Sequence, residues 1–222
     1  MLIKAHLPCD HCGSSDALAI YSDRTVCFSC KYSRRTSTTS LFETKEKSHK
    51  DIILSDVLPM EAKRWLLKSR IYEQDIKDAG IRYNEADHRV MLPLGNHSWQ
   101  GRSLKENDRV KYLTYGPKVL PLFAIPESPI RVLTEDWCSA YRINKAGFES
   151  LSILGTSVKI NDLIKVNASH KKVVLWLDGD KPGIIAAQKL KKSLSLYFNN
   201  ITIVSTELDP KLYSDDKLKA ER

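Results

Sequence analysis

Long apolar runs are missing from this chain of 222 residues, and cysteine is nearly absent beyond its first part. No apolar run approaches the length of a bilayer-spanning segment, which excludes an ordinary transmembrane protein. No targeting segment is visible at the N-terminus. Both absences predict a reducing, cytoplasmic location without a membrane partner, where free thiols persist.

Four of the five cysteines form two CxxC pairs, Cys9 with Cys12 and Cys27 with Cys30. Zinc takes four ligands at tetrahedral corners, and each CxxC turn brings two thiolates to one point. Two such pairs close the coordination shell, so the pattern predicts a structural zinc ribbon over residues 1–32. A disulfide framework is the alternative, and it fits poorly because no signal peptide precedes the cysteines.

The rest of the chain divides by composition and pattern. Residues 33–50 are polar and rich in Ser, Thr and Lys, which predicts a flexible linker. Residues 51–128 combine short helical segments with a hairpin around Gly95-Asn96, an α+β pattern. Over residues 129–222, apolar strands alternate with helices, which favours a parallel sheet covered on both faces. The predicted fold class is therefore mixed α/β, with a small β ribbon, an α+β segment and an α/β core.

Acidic side chains follow two predicted strands of that core. Glu135 comes after RVLT, and Asp178 and Asp180 come after VVLWL as Asp-Gly-Asp. Open α/β sheets place their active sites at these strand ends, and converging carboxylates repel each other unless a divalent cation joins them. The group therefore predicts a site for Mg²⁺, although each acid taken singly could be an ordinary loop residue. Asp209 is a weaker candidate, because Asp-Pro also begins turns.

The chain is strongly basic, with 35 Lys and Arg against 27 Asp and Glu and a net charge of +8. This excess indicates a polyanionic partner, although a merely basic protein is the alternative. The segment SWQGRSLKENDRVKYLTYG interleaves aromatic rings with Arg102, Lys105, Arg109 and Lys111. Cations hold phosphates and rings stack on bases, so the segment predicts a nucleotide or single-strand track led by Arg102 and Lys111. Alternatively it is a solvated hairpin, and we expect its aromatic rings to pack mostly in the core.

These motifs together resemble a known family. The string LPCDHCGSSDALAIYSDRTVCFSC resembles the zinc-binding domain of phage DNA primases and of the wider DnaG-type group. The segments RVMLPL, WQGRSL and VKYLTYG are similar to the basal subdomain of the primase RNA polymerase domain. VLTE and LWLDGDKPG resemble the Toprim catalytic core. The resemblance covers nearly the whole chain in the order of the family, with the basal part over residues 51–128 and the Toprim part over 129–222.

The resemblance implies a DNA primase, which copies single-stranded DNA into short RNA primers from ribonucleoside triphosphates during DNA replication. It implies a zinc ion on Cys9, Cys12, Cys27 and Cys30. It implies Mg²⁺ (or Mn²⁺) at Glu135, Asp178 and Asp180, with Glu135 acting in metal binding or proton handling. Nucleic-acid and nucleotide contacts are implied for Asp23 and Arg24 in the ribbon and for Arg102, Lys105 and Lys111.

The sequence departs from the family at Asp136, where glycine is common, and at Ser139, where an acid often lies. The number of catalytic metals is therefore open. The chain has no GxxxxGKS loop, so we expect no fused helicase and a separate replicative helicase as partner. A phage-encoded protein would act in the host cytoplasm. Two alternatives stay open: a non-catalytic module that binds single-stranded DNA and recruits replication proteins, and a Toprim nuclease.

Overall fold

The computed structural model describes residues 2–35, 52–165 and 172–220. The chain divides into two units, Met1–Lys50 and Asp51–Arg222, which we call the ribbon unit and the main unit. No helix in the described ranges is both long enough and apolar enough to cross a membrane.

The ribbon unit is an antiparallel sheet in the order β1-β2-β3-β4. Its strands are β1 (Leu2–Leu7), β2 (Leu18–Tyr21), β3 (Arg24–Cys27) and β4 (Ser33–Arg35). Among the described residues of this unit, only Cys9, Ala19 and Cys27 are buried. So small an apolar core indicates that the sheet depends on a further stabilising element.

Strand β4 lies within the predicted linker over residues 33–50. It pairs with β3 from Arg24↔Arg35 to Val26↔Ser33, so the ribbon sheet extends beyond residue 32. The remainder of the predicted linker, residues 36–50, lies outside the described residues.

The first part of the main unit packs two helices on an antiparallel sheet. The helices are α1 (Met60–Lys68) and α2 (Glu73–Asp78). The strands, in the order β5-β6-β7-β8, are β5 (Arg82–Asn84), β6 (Arg89–Gly95), β7 (Ser98–Ser103) and β8 (Tyr112–Tyr115). The predicted hairpin around Gly95-Asn96 is the β6–β7 connection, in which Gly95 pairs with Ser98. The two residues between them, Asn96 and His97, take the positive φ angles that such a turn requires, 50° and 57°.

The second part of the main unit is a five-stranded sheet in the order β13-β12-β10-β11-β9. Its strands are β9 (Leu122–Phe123), β10 (Ile130–Thr134), β11 (Glu149–Ser152), β12 (Lys172–Leu175) and β13 (Ile201–Ile203). Its helices are α3 (Trp137–Lys145), α4 (Ile160–Lys165), α5 (Lys181–Leu194) and α6 (Asp215–Ala220), with a 3-10 turn at Pro210–Leu212. Strands β10 to β13 are parallel and β9 is antiparallel, which confirms the predicted α/β core.

Both faces of this sheet are covered, as the continuous apolar strands predict. Leu133 and Leu175 pack with α5 residues such as Leu190 on one face. Val132 and Val174 pack on the other face in a cluster that includes residues of α3 and α6. Strand β11 lies on one side of β10 and strand β12 on the other, so the order in which successive strands are added reverses at β10. In open α/β sheets, ligand sites form at such a switch point, outside the carboxyl ends of the strands.

Helix α3 belongs to two cores at once. Trp137 and Tyr141 lie in the apolar cluster under the antiparallel sheet, whereas Ile143 lies in a cluster on the parallel sheet. The Trp137 indole also donates a hydrogen bond from Nε1 to the carbonyl oxygen of Pro93, at 2.7 Å. The α+β part and the α/β part are therefore joined by shared packing.

Candidate active site and zinc site

The four N-terminal cysteines converge. Their Sγ atoms all lie within 4.8 Å of one another, and those of Cys12 and Cys27 are 3.7 Å apart. Tetrahedral zinc with Zn–S distances of about 2.3 Å sets its sulfurs roughly 3.8 Å apart. The thiol spacing therefore fits Zn²⁺.

Tight backbone turns hold these thiols in place. The amide of Gly13 donates to the carbonyl of Cys9 at 2.8 Å, and Gly13 takes a φ of 71°, which favours glycine. The amide of Cys27, at the end of β3, donates to the carbonyl of Tyr32 at 2.8 Å. Each CxxC pair is thus formed by one closed turn, the arrangement expected from the spacing.

Glu135 and Asp178 follow neighbouring strands, β10 and β12. Leu133 pairs with Leu175, and the amide of Trp176 donates to the carbonyl of Leu133 at 2.9 Å, so both acids emerge at the carboxyl edge of the sheet. Glu135 Oε2 and Asp178 Oδ1 are buried and have no hydrogen-bond partner. An unsatisfied buried polar atom costs about 1–3 kcal/mol, so these two oxygens fit a cation ligand better than a structural role.

The charge at this edge is strongly negative. Burial and the neighbouring carboxylates of Asp180 and Asp136 raise the pKa of Glu135. Burial also raises the pKa of Asp178 to about 7, against the opposing effect of Lys211. Among the described residues, the four cysteines are compact enough to hold a metal ion, whereas the acids do not form such a compact group. Mg²⁺ suits the acidic site, because it keeps several waters and needs only one or two carboxylates.

The Asp178-Gly179-Asp180 turn is packed too closely for a larger central residue. A Cβ atom on Gly179 would lie 2.0 Å from the carbonyl oxygen of Thr206. A Cβ atom on Gly183 would lie 2.2 Å from the carbonyl oxygen of Asp178. Asp180 caps α5 by accepting a hydrogen bond from the Gly183 amide at 2.8 Å. The two glycines therefore fix the position of the acidic turn against the segment after β13.

Lys211 also lies in this site, although the sequence did not predict it there. Its Nζ is 3.0 Å from Asp136 Oδ2 and 2.8 Å from Asp209 Oδ2. Burial alone would lower the pKa of Lys211, but Asp136, Asp209 and Asp178 raise it well above its ordinary value. No local pattern marks this lysine, because its partner Asp136 is 75 residues away in sequence. A metal-ligand role for Asp209 stays a prediction.

The predicted basic track lies partly beside the acids. The Arg102 guanidinium sits over the rings of Trp65 and Tyr112, at 5.8 and 5.2 Å from their centroids. Desolvation and the nearby Cys138 and Asp136 raise the pKa of Tyr112 to about 12, which places this phenol within electrostatic reach of the acidic site. Tyr112 is 45% exposed, so the expectation that it packs in the core is wrong.

The other predicted contact residues lie on the surface. Lys105 and Lys111 are exposed on either side of the β7–β8 loop. In the ribbon unit, Asp23 lies in the turn after β2, and the Arg24 guanidinium sits 5.6 Å over the Tyr21 ring. These positions leave the side chains accessible to a ligand, and their roles stay predictions.

Comparison with curated proteins finds two DNA primases. The chain is 29% identical to the DNA primase of Thermotoga maritima over 145 residues, which covers 57% of this chain and 25% of that protein. It is 31% identical to DNA primase DnaG of Staphylothermus marinus over 85 residues, which covers 38% of this chain and 20% of that protein. The matches therefore span a quarter or less of these relatives. No protein-family model matches the chain.

Comparison with solved structures finds primase folds. The Aquifex aeolicus primase, comprising zinc-binding and RNA polymerase domains, matches with a TM-score of 0.59 at 14% identity over 100% of this chain and 79% of that one. The primase fragment of the bacteriophage T7 primase-helicase matches with a TM-score of 0.53 at 17% identity over 100% and 98%. A DnaG primase catalytic domain bound to ssDNA matches with a TM-score of 0.55 at 18% identity over 73% and 70%. The chain is thus similar in part of its sequence to two DNA primases, and its fold is similar to the zinc-binding and RNA polymerase domains of primases.

Proposed function

We propose that this chain is a DNA primase that makes short RNA primers on single-stranded DNA by metal-dependent nucleotidyl transfer from ribonucleoside triphosphates. The observation that carries the proposal is the pair of buried, unpartnered oxygens, Glu135 Oε2 and Asp178 Oδ1, at adjacent strand ends. A protein that only bound DNA would have no need for unsatisfied carboxylates at the switch point of an α/β sheet.

Glu135, Asp178 and Asp180 would hold Mg²⁺, or Mn²⁺ in its place. When bound, the ion supplies positive charge that neutralises the reacting phosphates. Glu135 is also suited to accept the proton of the attacking primer hydroxyl, because burial and Asp180 raise its pKa above the ordinary value of a glutamate. The Gly179 turn, closed against Thr206, keeps the two aspartates in fixed positions during the reaction.

Arg102, Lys105 and Lys111 would bind phosphates of the template or the nucleotide. Arg102 is the best placed, because its guanidinium lies over Trp65 and Tyr112 and its Nε is buried without a hydrogen-bond partner. A stacked guanidinium keeps its planar group in one orientation, which favours directed contact with phosphate oxygens. Single-stranded DNA is the proposed template, in line with the related DnaG catalytic domain that was solved with ssDNA.

Each segment of the chain has its own proposed role, in the order of the sequence. Residues 1–32 would form the template-recognition ribbon, held by zinc on the four cysteines and reading bases with Asp23 and Arg24. With the ribbon sheet extended through β4, the chain after Arg35 would link it to a basal subdomain over 51–128 and a Toprim subdomain over 129–222. A separate replicative helicase is the proposed partner, by analogy with the T7 protein, which joins primase and helicase in one chain.

A priming assay tests this proposal. The zinc-loaded protein is mixed with a pool of random single-stranded DNA, Mg²⁺ and labelled ribonucleotides, and the products are resolved by size. We expect short RNA that requires both Mg²⁺ and template and that is lost in Asp178→Asn. Degradation of the DNA pool without RNA would favour a nuclease instead. Salt-sensitive binding with neither product would favour a non-catalytic module.

A further inference from the structure

The residues next to Lys211 in sequence hold its backbone in place beside the acidic site. It lies in the 3-10 turn Pro210–Leu212, where Pro210 is buried. Arg70 Nε donates to the carbonyl of Leu212 at 2.9 Å, and Arg142 Nη2 donates to the carbonyl of Tyr213 at 3.2 Å. The Lys211 side chain is only 20% exposed, so its ammonium is held in place and has little freedom to leave the site.

The acids of the site fall into two groups according to their partners. Both oxygens of Asp136 are occupied, because Oδ1 accepts from the amides of Cys138 and Ser139 and Oδ2 accepts from Ser139 Oγ and Lys211 Nζ. Asp209 is also paired with Lys211, at 2.8 Å. By contrast, Glu135 and Asp178 each keep a buried oxygen with no partner. The Lys211 ammonium is thus paired directly with Asp136 and Asp209, whereas the unsatisfied oxygens belong to Glu135 and Asp178.

We propose that Lys211 is a built-in cation that occupies the Asp136–Asp209 side of the site and confines divalent cations to one ion on the Glu135–Asp178 side. The inference rests on the proposed metal-dependent function and deepens it by fixing the number of ions. A second divalent ion at Asp136 would face both the ammonium and a carboxylate without free lone-pair directions. Ser139, which stands where the family often has an acid, supports this arrangement by donating its hydroxyl to Asp136.

Counting bound Mn²⁺ tests the assignment without any enzymatic readout. The full zinc-loaded chain is titrated with Mn²⁺ alone, and free Mn²⁺ is followed by electron paramagnetic resonance. We expect one tightly bound ion per chain, which is lost in Asp178→Asn. In Lys211→Met we expect a second ion, whereas Lys211→Arg, which keeps the positive charge, should bind one. Two tightly bound ions in the wild-type chain, or an unchanged count in Lys211→Met, would overturn the proposal.

A second variant keeps the test decisive if Lys211→Met does not fold, which circular dichroism and zinc content would reveal. The sequence predicts Asp209 as a weak metal ligand, but the present proposal assigns its carboxylate to Lys211. The Mn²⁺ count of Asp209→Asn should therefore stay at one. Loss of the ion in Asp209→Asn would make Asp209 a ligand and overturn the proposal. Because no ribonucleotide is present, the count is independent of priming. A chain that binds one Mn²⁺ and makes no RNA would contradict the primase function and leave the Lys211 assignment standing.

Discussion

Leu133 and Leu175 lie side by side in the parallel strands β10 and β12, and this pairing brings Glu135 and Asp178 to the same edge of the sheet. The acids are more than forty residues apart in sequence. Their proximity therefore depends on the apolar strands, which fix the register through the packing of Leu133 and Leu175 against α5. The packing of the apolar core thus determines where the Glu135 and Asp178 side chains lie.

Asp178→Asn should reduce RNA synthesis by about 100-fold or more while leaving single-stranded DNA binding nearly unchanged, because it removes a charge and not a phosphate contact. Primer synthesis and fluorescence anisotropy on the same template measure the two effects. Glu127→Gln is the matched control, since this exposed acid precedes β10 and lies at the opposite edge of the sheet. Full synthesis by Asp178→Asn would remove Asp178 from the metal site.

Cys27→Ser should lower the zinc content from one ion per chain to nearly none, because three thiolates no longer close the tetrahedral shell. Template-dependent initiation should be lost with the ion, since the ribbon has almost no apolar core of its own. Elemental analysis of the purified protein gives the zinc content. Cys138→Ser is the control, because Cys138 is buried in the main unit and its loss should leave the zinc content unchanged. Zinc retained by Cys27→Ser would contradict the four-cysteine site.

Arg102→Ala should weaken binding to single-stranded DNA and reduce the slope of log affinity against log salt by about one, as expected for the loss of one phosphate contact. Arg102→Lys should keep the slope and lose part of the affinity, because an ammonium cannot stack on Trp65 and Tyr112 as a guanidinium does. Salt titrations of binding measure both. Lys189→Ala, an exposed lysine on α5, should change neither. An unaltered slope in Arg102→Ala would argue against the basic track.

Asp75→Asn should destabilise the main unit by about 1–3 kcal/mol at pH 7, because it leaves the Lys145 ammonium without its partner. Burial alone would raise the pKa of Asp75, but Lys145 and the Tyr72 amide lower it below its ordinary value. The stabilisation is therefore present above the ordinary pKa of about 4 and is lost as the pH falls through the lowered value.

Urea denaturation between pH 2 and 7 checks the effect of Asp75. The wild-type protein should lose stability in the acidic part of this range, and Asp75→Asn should lose less. Glu73→Gln is the control on the same helix, because its exposed pair with Lys63 contributes about 0.5 kcal/mol or less. Equal pH dependence in the wild type and in Asp75→Asn would show that this buried pair does not stabilise the fold.

Local signals were enough to predict much of the fold. The hairpin at Gly95-Asn96 and the zinc turns each depend on residues close together in sequence, and Asn96 does take a positive φ of 50°. The two-residue strand β9 was missed, because it has no period of its own and pairs only through Ser150↔Phe123 and Leu151↔Leu122. Strand β4 was missed for the same reason, since SRR reads as a polar segment.

The sequence predicted those residues of the candidate site that directly follow an apolar strand, and it missed the others. Glu135 and Asp178 were marked by the apolar runs before them. Lys211 was not, because its position depends on the 3-10 turn packing against α3. Tyr112 was expected in the core with the other aromatic residues of its segment, and its exposure follows from its place on the edge strand β8.

Helix α3 carries one more consequence. Because its Trp137 end lies in one core and its Ile143 side in the other, the packing of this one helix joins the sheet that carries Arg102 to the sheet whose strand ends carry the acids. Under the proposed function, the spacing between the Arg102 guanidinium and the acids would select the nucleotide geometry that can react. Repacking of α3 would then alter that selection without touching any of these side chains.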